Sequence, residues 1–532
     1  MKTTSSWARK LLVISCLSAA PIMVSLCPAT SVATTITVVP ESPLKSLDPI
    51  ITPAYFIRNF GYMIYDTLLA LDADGKIQPQ MLDHWKVSDD GRTYTMTLRK
   101  GLLWTDDTPV TSDDCIASIK RWAILDKTGQ IMDSLMESMT KLDGQSWQMR
   151  FKVPTDIALR GLSKPSGVPA FMMPERVAKT PADKQITETI GSGPFKFVKE
   201  EFCPGIQAVF AKNKKYVPRP EKPSGLAGGK VVYVDEVKWI GMPDSMTAIN
   251  ALVNKEVDLI ERTDYDFLPM LEQNKDIKVI TAHQLDQQPI ARFNFLQPPF
   301  DNNKVRQAAM MAVNQKDVLQ AMVGNPKYYE TCYTVYGCGN QYASTAGSGE
   351  FGRGNIAKAK EILASSGYDG TPIVLLHPTD VGAFSKSAPV IAQELRQAGF
   401  KVDMQSMDWQ SVNNRRTSKA SPADGGWNMF TTGIGVVDAR SPLSAFTIPA
   451  NGSKSWFGWP DIPEIEQLRN KFARSSDPAE QKALADEIQE KVLSNGVILP
   501  LGQISLPLAV SAKLQGVLET YALVFWNIKK SD

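Results

Sequence analysis

The sequence predicts a mixed α/β protein built from several domains. Three observations predict it. The chain is 532 residues long, which leaves room for about three or four domains at roughly 150 residues each. Hydrophobic residues make up 43% and charged residues 21%, the balance of a globular chain rather than a disordered, collagen-like or multi-span membrane one. Alternating and continuous β-patterns are also interleaved with helix patterns that carry their own start and stop signals.

The first element is a targeting segment. Lys2, Arg9 and Lys10 form a positive start, residues 11–26 are apolar, and a small-residue stretch ends at Ser31-Val32-Ala33. This is the layout of a secretory signal peptide cleaved after Ala33. A membrane anchor is disfavoured because the apolar run is short and contains Pro21. A lipoprotein is disfavoured because Cys16 comes too early, and the residue before Cys27 is Leu26 where a small one is needed. Removing residues 1–33 takes away three bases and no acids, so the net charge falls from +2 to about −1. No later apolar run approaches the ~18 residues of a membrane span. The mature chain is expected to be soluble and exported.

Within it, Tyr94, Met96 and Leu98 alternate with threonines, and Trp147, Met149, Phe151 and Val153 alternate in the same way. Both runs read as half-buried antiparallel strands. Residues 231–234, 237–240 and 277–280 are denser β-rich runs suited to a central sheet. Thr111-Ser112-Asp113-Asp114 reads as a helix start, and Asn355 opens a second helix that Gly367 closes. Asp477-Pro478-Ala479-Glu480 supplies a cap, a first-turn proline and an acid three residues on. Leu484, Ile488 and Val492 then form one stripe, and Gly496 suits the stop. Residues 218–229, rich in Pro and Gly, read as a loop within a domain.

Catalytic patterns are missing. The 58 bases and 56 acids nearly cancel, so nothing draws the chain to nucleic acid or anionic lipid. Three scattered histidines, His84, His283 and His377, exclude a His-rich metal cluster. The run 224–231 has Ser224 where a phosphate loop needs its first glycine and Val231 where it needs Ser or Thr. The acid pairs at 89–90, 106–107 and 113–114 sit beside turn residues and read as turns and caps. Neither a metal nor a cofactor is expected, and no residue is assigned a catalytic role. Four cysteines outlast the signal. Cys332 and Cys338, with five residues between them in a Tyr- and Gly-rich loop, are expected to form a disulfide in an oxidising compartment. Cys115 and Cys203 either pair or stay as buried thiols.

An exported chain without catalytic signature suggests a binding protein, and an ordered set of motifs sharpens this. It begins with Leu47-Asp48-Pro49, Tyr65-Asp66-Thr67-Leu68-Leu69 and Gly75-Lys76-Ile77-Gln78-Pro79. Trp85, Ser88-Asp89-Asp90-Gly91-Arg92-Thr93-Tyr94-Thr95, Leu98-Arg99-Lys100-Gly101, Trp104 and Pro109-Val110-Thr111-Ser112-Asp113-Asp114 follow. Then come Gly191-Ser192-Gly193-Pro194-Phe195, Asp244 with residues 248–258, Phe293-Asn294, Pro299-Phe300-Asp301 and residues 305–314. Residues 395–400 and Trp427-Asn428-Met429 complete the series. In this order the chain resembles the family 5 extracellular solute-binding proteins of ABC transporters, the dipeptide, oligopeptide and nickel-binding group.

The resemblance implies an α/β, two-lobed periplasmic binding protein fold (type II, cluster C) with an extra inserted α+β domain. Lobe I would comprise residues 34–60, 195–286 and 501–532, the inserted domain 61–194, and lobe II 287–500. The chain would cross between lobes near 284–291 and 498–502. The implied function is capture of di- or oligopeptides in the periplasm by hinge closure, and delivery to the membrane subunits of an ABC permease. The same fold for a metal chelate, opine, sugar or haem is the alternative. A monomer is expected. By the resemblance, Asp438, with Pro442 four residues later, would pair with the peptide's α-ammonium. Gly435 and Val436 stand where Trp is common in the family, and Ser441 replaces the usual acid. Arg440 would suit a ligand carboxylate. Trp409 and Trp427, in a second half crowded also by Trp456 and Trp459, would suit a pocket wall. Tyr55 follows the Leu47-Asp48-Pro49 loop at a distance suited to face the cleft.

Overall fold

The computed structural model describes residues 33–281 and 287–531. The expected signal segment up to Val32, together with Cys16, Cys27, His283 and residues 284–286, lies outside the described residues.

Two large sheets organise the chain. In the first, strands run in the order Ile277–Thr281, Pro507–Ser511, Leu259–Ile260, Thr35–Val39, Glu236–Ile240, Gln207–Lys212 and Phe195–Phe197. Thr35–Val39 lies parallel to both of its neighbours, and the remaining pairs are antiparallel. The second sheet runs Tyr329–Glu330, Gln503–Ile504, Gln287–Phe293, Met429–Gly435, Ile373–Pro378 and Val402–Met407. All seven residues of Gln287–Phe293 are buried, as expected of a central strand covered on both faces. Ile277–Thr281 closes one sheet and Gln287–Phe293 opens the other. On the return, Gln503–Ile504 still pairs with Gln287 and Tyr329–Glu330, while Pro507–Ser511 already pairs in the first sheet. The chain changes sheet between Ile504 and Pro507. Gly502, at φ +104°, bends the chain before that point without ending the pairing.

A third sheet, Leu82–Val87, Thr93–Leu98, Ser146–Phe151 and Met136–Lys141, is antiparallel throughout. Its two inner strands behave as their alternation predicts. Tyr94 faces Met149 and Met96 faces Trp147 across the pair; these four side chains are buried, with the intervening threonines half-buried on the other face. Residues 231–234 do not join a sheet. The Val231 carbonyl accepts from the Asn527 N–H at 2.7 Å, so a segment near the C-terminus takes the bonds a neighbouring strand would need.

The helix signals act locally and hold. Thr111 caps Ser112–Leu125 with a reciprocal capping box to Asp114. Asn355 accepts from the Lys358 N–H at 3.0 Å, and Asp477 from the Ala479 N–H at 2.9 Å. Glu480, placed for a capping box, receives the Ser475 hydroxyl instead. Cys332 and Cys338 form a disulfide. Cys115 is buried and Cys203 exposed, both as free thiols, so they do not pair.

One buried acid makes stability depend on pH. Glu394, on the helix Ser387–Gln397, accepts from the Asn314 N–H at 3.1 Å, while its Oε1 is buried without a partner among the described residues. Burial pushes its pKa up to about 8. The folded chain thus holds a proton that the unfolded chain gives up, and stability falls as pH rises from about 4.5 to about 8. Glu394→Gln should gain about 3–5 kcal/mol at pH 8–9 and little at pH 4. Urea unfolding at the two pH values checks this; an equal effect at both would remove the assignment.

Candidate functional site

A small cleft with a cavity of about 70 Å³, partly open to solvent, lies where the two large sheets meet. Gln287 and Gly435 of the second sheet line it, with Leu508 of the first. One wall carries charge: Glu41, Arg58, Glu261 and Arg262. Another is apolar: Leu506, Leu508, Leu518 and Leu523.

Tyr55 and Asp438 meet beside this cleft. Tyr55 begins the helix Tyr55–Ile64, and Asp438 sits on the one-turn helix Val436–Ala439 after the strand Met429–Gly435. The Tyr55 hydroxyl donates to Asp438 Oδ2 at 3.0 Å and accepts from the Gly435 N–H. The Ser166 hydroxyl donates to the same oxygen at 3.0 Å and accepts from Arg58 Nη1 at 2.7 Å. The close packing leaves room for nothing larger than glycine at 435. A Cβ there would lie 3.0 Å from the Tyr55 hydroxyl and 3.3 Å from Asp438 Oδ2.

Asp438 is 1% exposed. Burial raises its pKa, and the charges of Lys164 and Arg58 and the two hydroxyls hold the rise back. Its Oδ1 accepts no hydrogen bond among the described residues, and Gly167 stands beside it. A Cβ on Gly167, whose φ is +68°, would come within 3.2 Å of Oδ1. Lys164 pairs with Asp126. Glu261 accepts from the Glu41 N–H at 2.8 Å and from Asn59 Nδ2 at 2.6 Å. Burial and the neighbouring Glu41 charge push Glu261 up to about 7. The Glu41 carboxylate itself pairs with Arg262 at 2.5 Å.

The other sequence candidates lie elsewhere. The Arg440 guanidinium lies close to Gly75, where a Cβ would be 3.1 Å from Nη2; it does not line the cleft. Two residues on from Asp438 in a helical turn, it points about 200° round the axis. Trp427 is fully buried against Phe430 and Trp459, at centroid distances of 5.0 and 6.0 Å. Trp409 is half-buried in the same cluster, under the Arg416 guanidinium. Trp427 is core, and Trp409 packs against the edge of its cluster. Trp427 precedes the strand whose far end, Gly435, reaches the cleft, and eight residues of extended chain span about 26 Å. Arg58, Ser166, Glu261 and the leucine wall were not legible in the sequence; Pro165-Ser166-Gly167 reads only as a turn. Among the described residues no group of three or more His, Cys, Asp or Glu could hold a metal, and no helix is long and apolar enough to cross a membrane.

Two mixed sheets with a cleft where they meet define the two-lobed periplasmic binding protein fold. The chain belongs to the bacterial extracellular solute-binding proteins, family 5, whose profile matches residues 76–456. It is 37% identical over 491 residues, 92% of each chain, to a probable peptide ABC transporter periplasmic-binding protein of Sinorhizobium fredii. Among solved structures it resembles an A. tumefaciens binding protein in complex with agropinic acid (TM-score 0.79, 21% identity, 94% of this chain and 99% of that one). It also resembles a Pseudoalteromonas dipeptide-binding protein in complex with Met-Leu (TM-score 0.78, 19% identity, 93% of this chain and 100% of that one).

Proposed function

We propose that this chain is the periplasmic peptide receptor of an ABC importer. It captures di- and oligopeptides between two lobes and delivers them to the permease subunits in the membrane. The observation that carries this reading is Asp438: a fully buried carboxylate next to the cleft, bonded to its lining residue Tyr55, whose Oδ1 is open to a donor. A peptide α-ammonium there would gain a charge-assisted bond in a site shielded from water. The relationship to the Sinorhizobium fredii protein supports the peptide class. Lobe I would comprise residues 34–60, 195–286 and the chain from 505, the inserted domain 61–194, and lobe II 287–504. Residues 1–33 would be the export signal, the mature protein a periplasmic monomer, and catalysis no part of its work.

The Tyr55–Asp438 bond spans the two lobes, so it forms only when they close. Solute shifts the equilibrium toward closure in proportion to how much more tightly the closed form holds it. Thermal shift of the mature protein against a di- to pentapeptide library tests the reading, with stabilisation by peptides expected. Stabilisation by a sugar, opine, haem or metal chelate and by no peptide would overturn it.

A further inference from the structure

We infer that Arg58 is the anion receptor of the cleft, and that the solute carries a carboxylate that pairs with its guanidinium. This deepens the reading of the cleft as the solute site. Arg58 is only 6% exposed yet lines the cavity. Its hydrogen bonds go to neutral oxygens: Nε and Nη2 donate to Asn59 Oδ1 at 3.2 and 2.9 Å, and Nη1 to Ser166 Oγ at 2.7 Å. A guanidinium has five N–H donors. Tyr55 covers one face of the guanidinium at 4.6 Å, and among the described residues one N–H on each terminal nitrogen remains without a hydrogen-bond partner, which suits the two oxygens of a carboxylate.

The other charges on that wall are already engaged. Glu41 pairs with Arg262, and Glu261 is held by Asn59 Nδ2 and the Glu41 N–H. Asn59 keeps the two apart: its oxygen faces Arg58 and its nitrogen faces Glu261. The internal ion pair that would satisfy Arg58 is thereby prevented. Asp438 lies beyond the Ser166 hydroxyl, a relay rather than a contact. Burying an arginine without a direct counter-charge is costly, and a solute carboxylate would remove that cost on binding. The leucine wall would take the solute's apolar part.

The carboxylate could be a peptide's C-terminus or an acidic side chain, and four probes separate these. Calorimetry on the mature protein would compare leucyl-leucine, leucyl-leucine amide, glutamyl-leucine amide and N-acetyl-leucine. In the wild type, the amide should bind at least tenfold more weakly than leucyl-leucine. In Arg58→Gln the two should bind equally weakly, with Arg58→Lys intermediate. Recovery by glutamyl-leucine amide would place a side-chain carboxylate at Arg58. Binding of N-acetyl-leucine with no peptide bound would sustain the inference while sinking the peptide reading. Equal binding of acid and amide by the wild type would overturn the inference and leave that reading intact. A penalty that persists in Arg58→Gln, or no binding by any carboxylate probe, would also overturn it. The wild-type comparison stands even if the variants fail to fold.

Discussion

Asp438→Ala is expected to weaken peptide binding by about ten- to a hundredfold, with the fold unchanged. The magnitude is that of a hydrogen bond to a charged group, about 1.5–3 kcal/mol net. Two contributions combine in it. One is the ammonium bond at Oδ1. The other is the closure contact, since Oδ2 accepts the hydroxyls of Tyr55 and Ser166. Tyr55→Phe removes only one closure bond, and a smaller loss is expected. Because burial between the closed lobes raises the Asp438 pKa, an ammonium that requires the ionised form must displace a proton at low pH. Affinity for peptides should therefore fall as pH falls, and the alanine variant should lose that dependence. Calorimetry with dipeptides across pH, beside circular dichroism of both proteins, checks this. Unchanged affinity in a folded Asp438→Ala would remove the ammonium assignment.

The largest loss of stability is expected at Asp48. This carboxylate is fully buried and holds Arg121 of the helix Ser112–Leu125 through Nη2 at 2.7 Å and Nη1 at 3.3 Å. It also accepts the N–H groups of Ile50 and Ile186. Arg121 is buried too, and donates further to the carbonyls of Thr180 and Lys184. The pair ties the loop after the strand Thr35–Val39 to the part of the chain that carries the third sheet. Removing one partner leaves a desolvated charge behind, at a cost of about 3–5 kcal/mol. Asp48→Ala should lower the urea midpoint accordingly. The double variant Asp48→Leu with Arg121→Met should be more stable than Asp48→Ala alone, because no orphaned charge remains. A double variant no better than the single would mean that the backbone bonds of Asp48, not the ion pair, carry its contribution.

How much of this was legible follows the range of each interaction. The Thr93–Leu98 and Ser146–Phe151 strands were readable because alternation within six residues assigns their faces. The caps at Thr111, Asn355 and Asp477 were readable because cap and partner lie within three residues. Tryptophan content announced aromatic clusters but not which end of a strand they occupy, so Trp427 belongs to the core of the second sheet and Trp409 to the edge of its cluster. Arg440 was read as a partner for a ligand carboxylate beside Asp438 as a partner for an ammonium, and helical rotation separates them.

By itself, the sequence determined the local elements, the mixed α/β class, the disulfide and, through ordered motifs, the family; each rests on short-range periodicity or on patterns read along the chain. Only the tertiary structure decided the site. Tyr55 and Asp438 are 383 residues apart, Ser166 and Asp438 272, and Asn59 and Glu261 202. Buried charges take their meaning from partners that packing brings to them, and no local pattern records which partners those are.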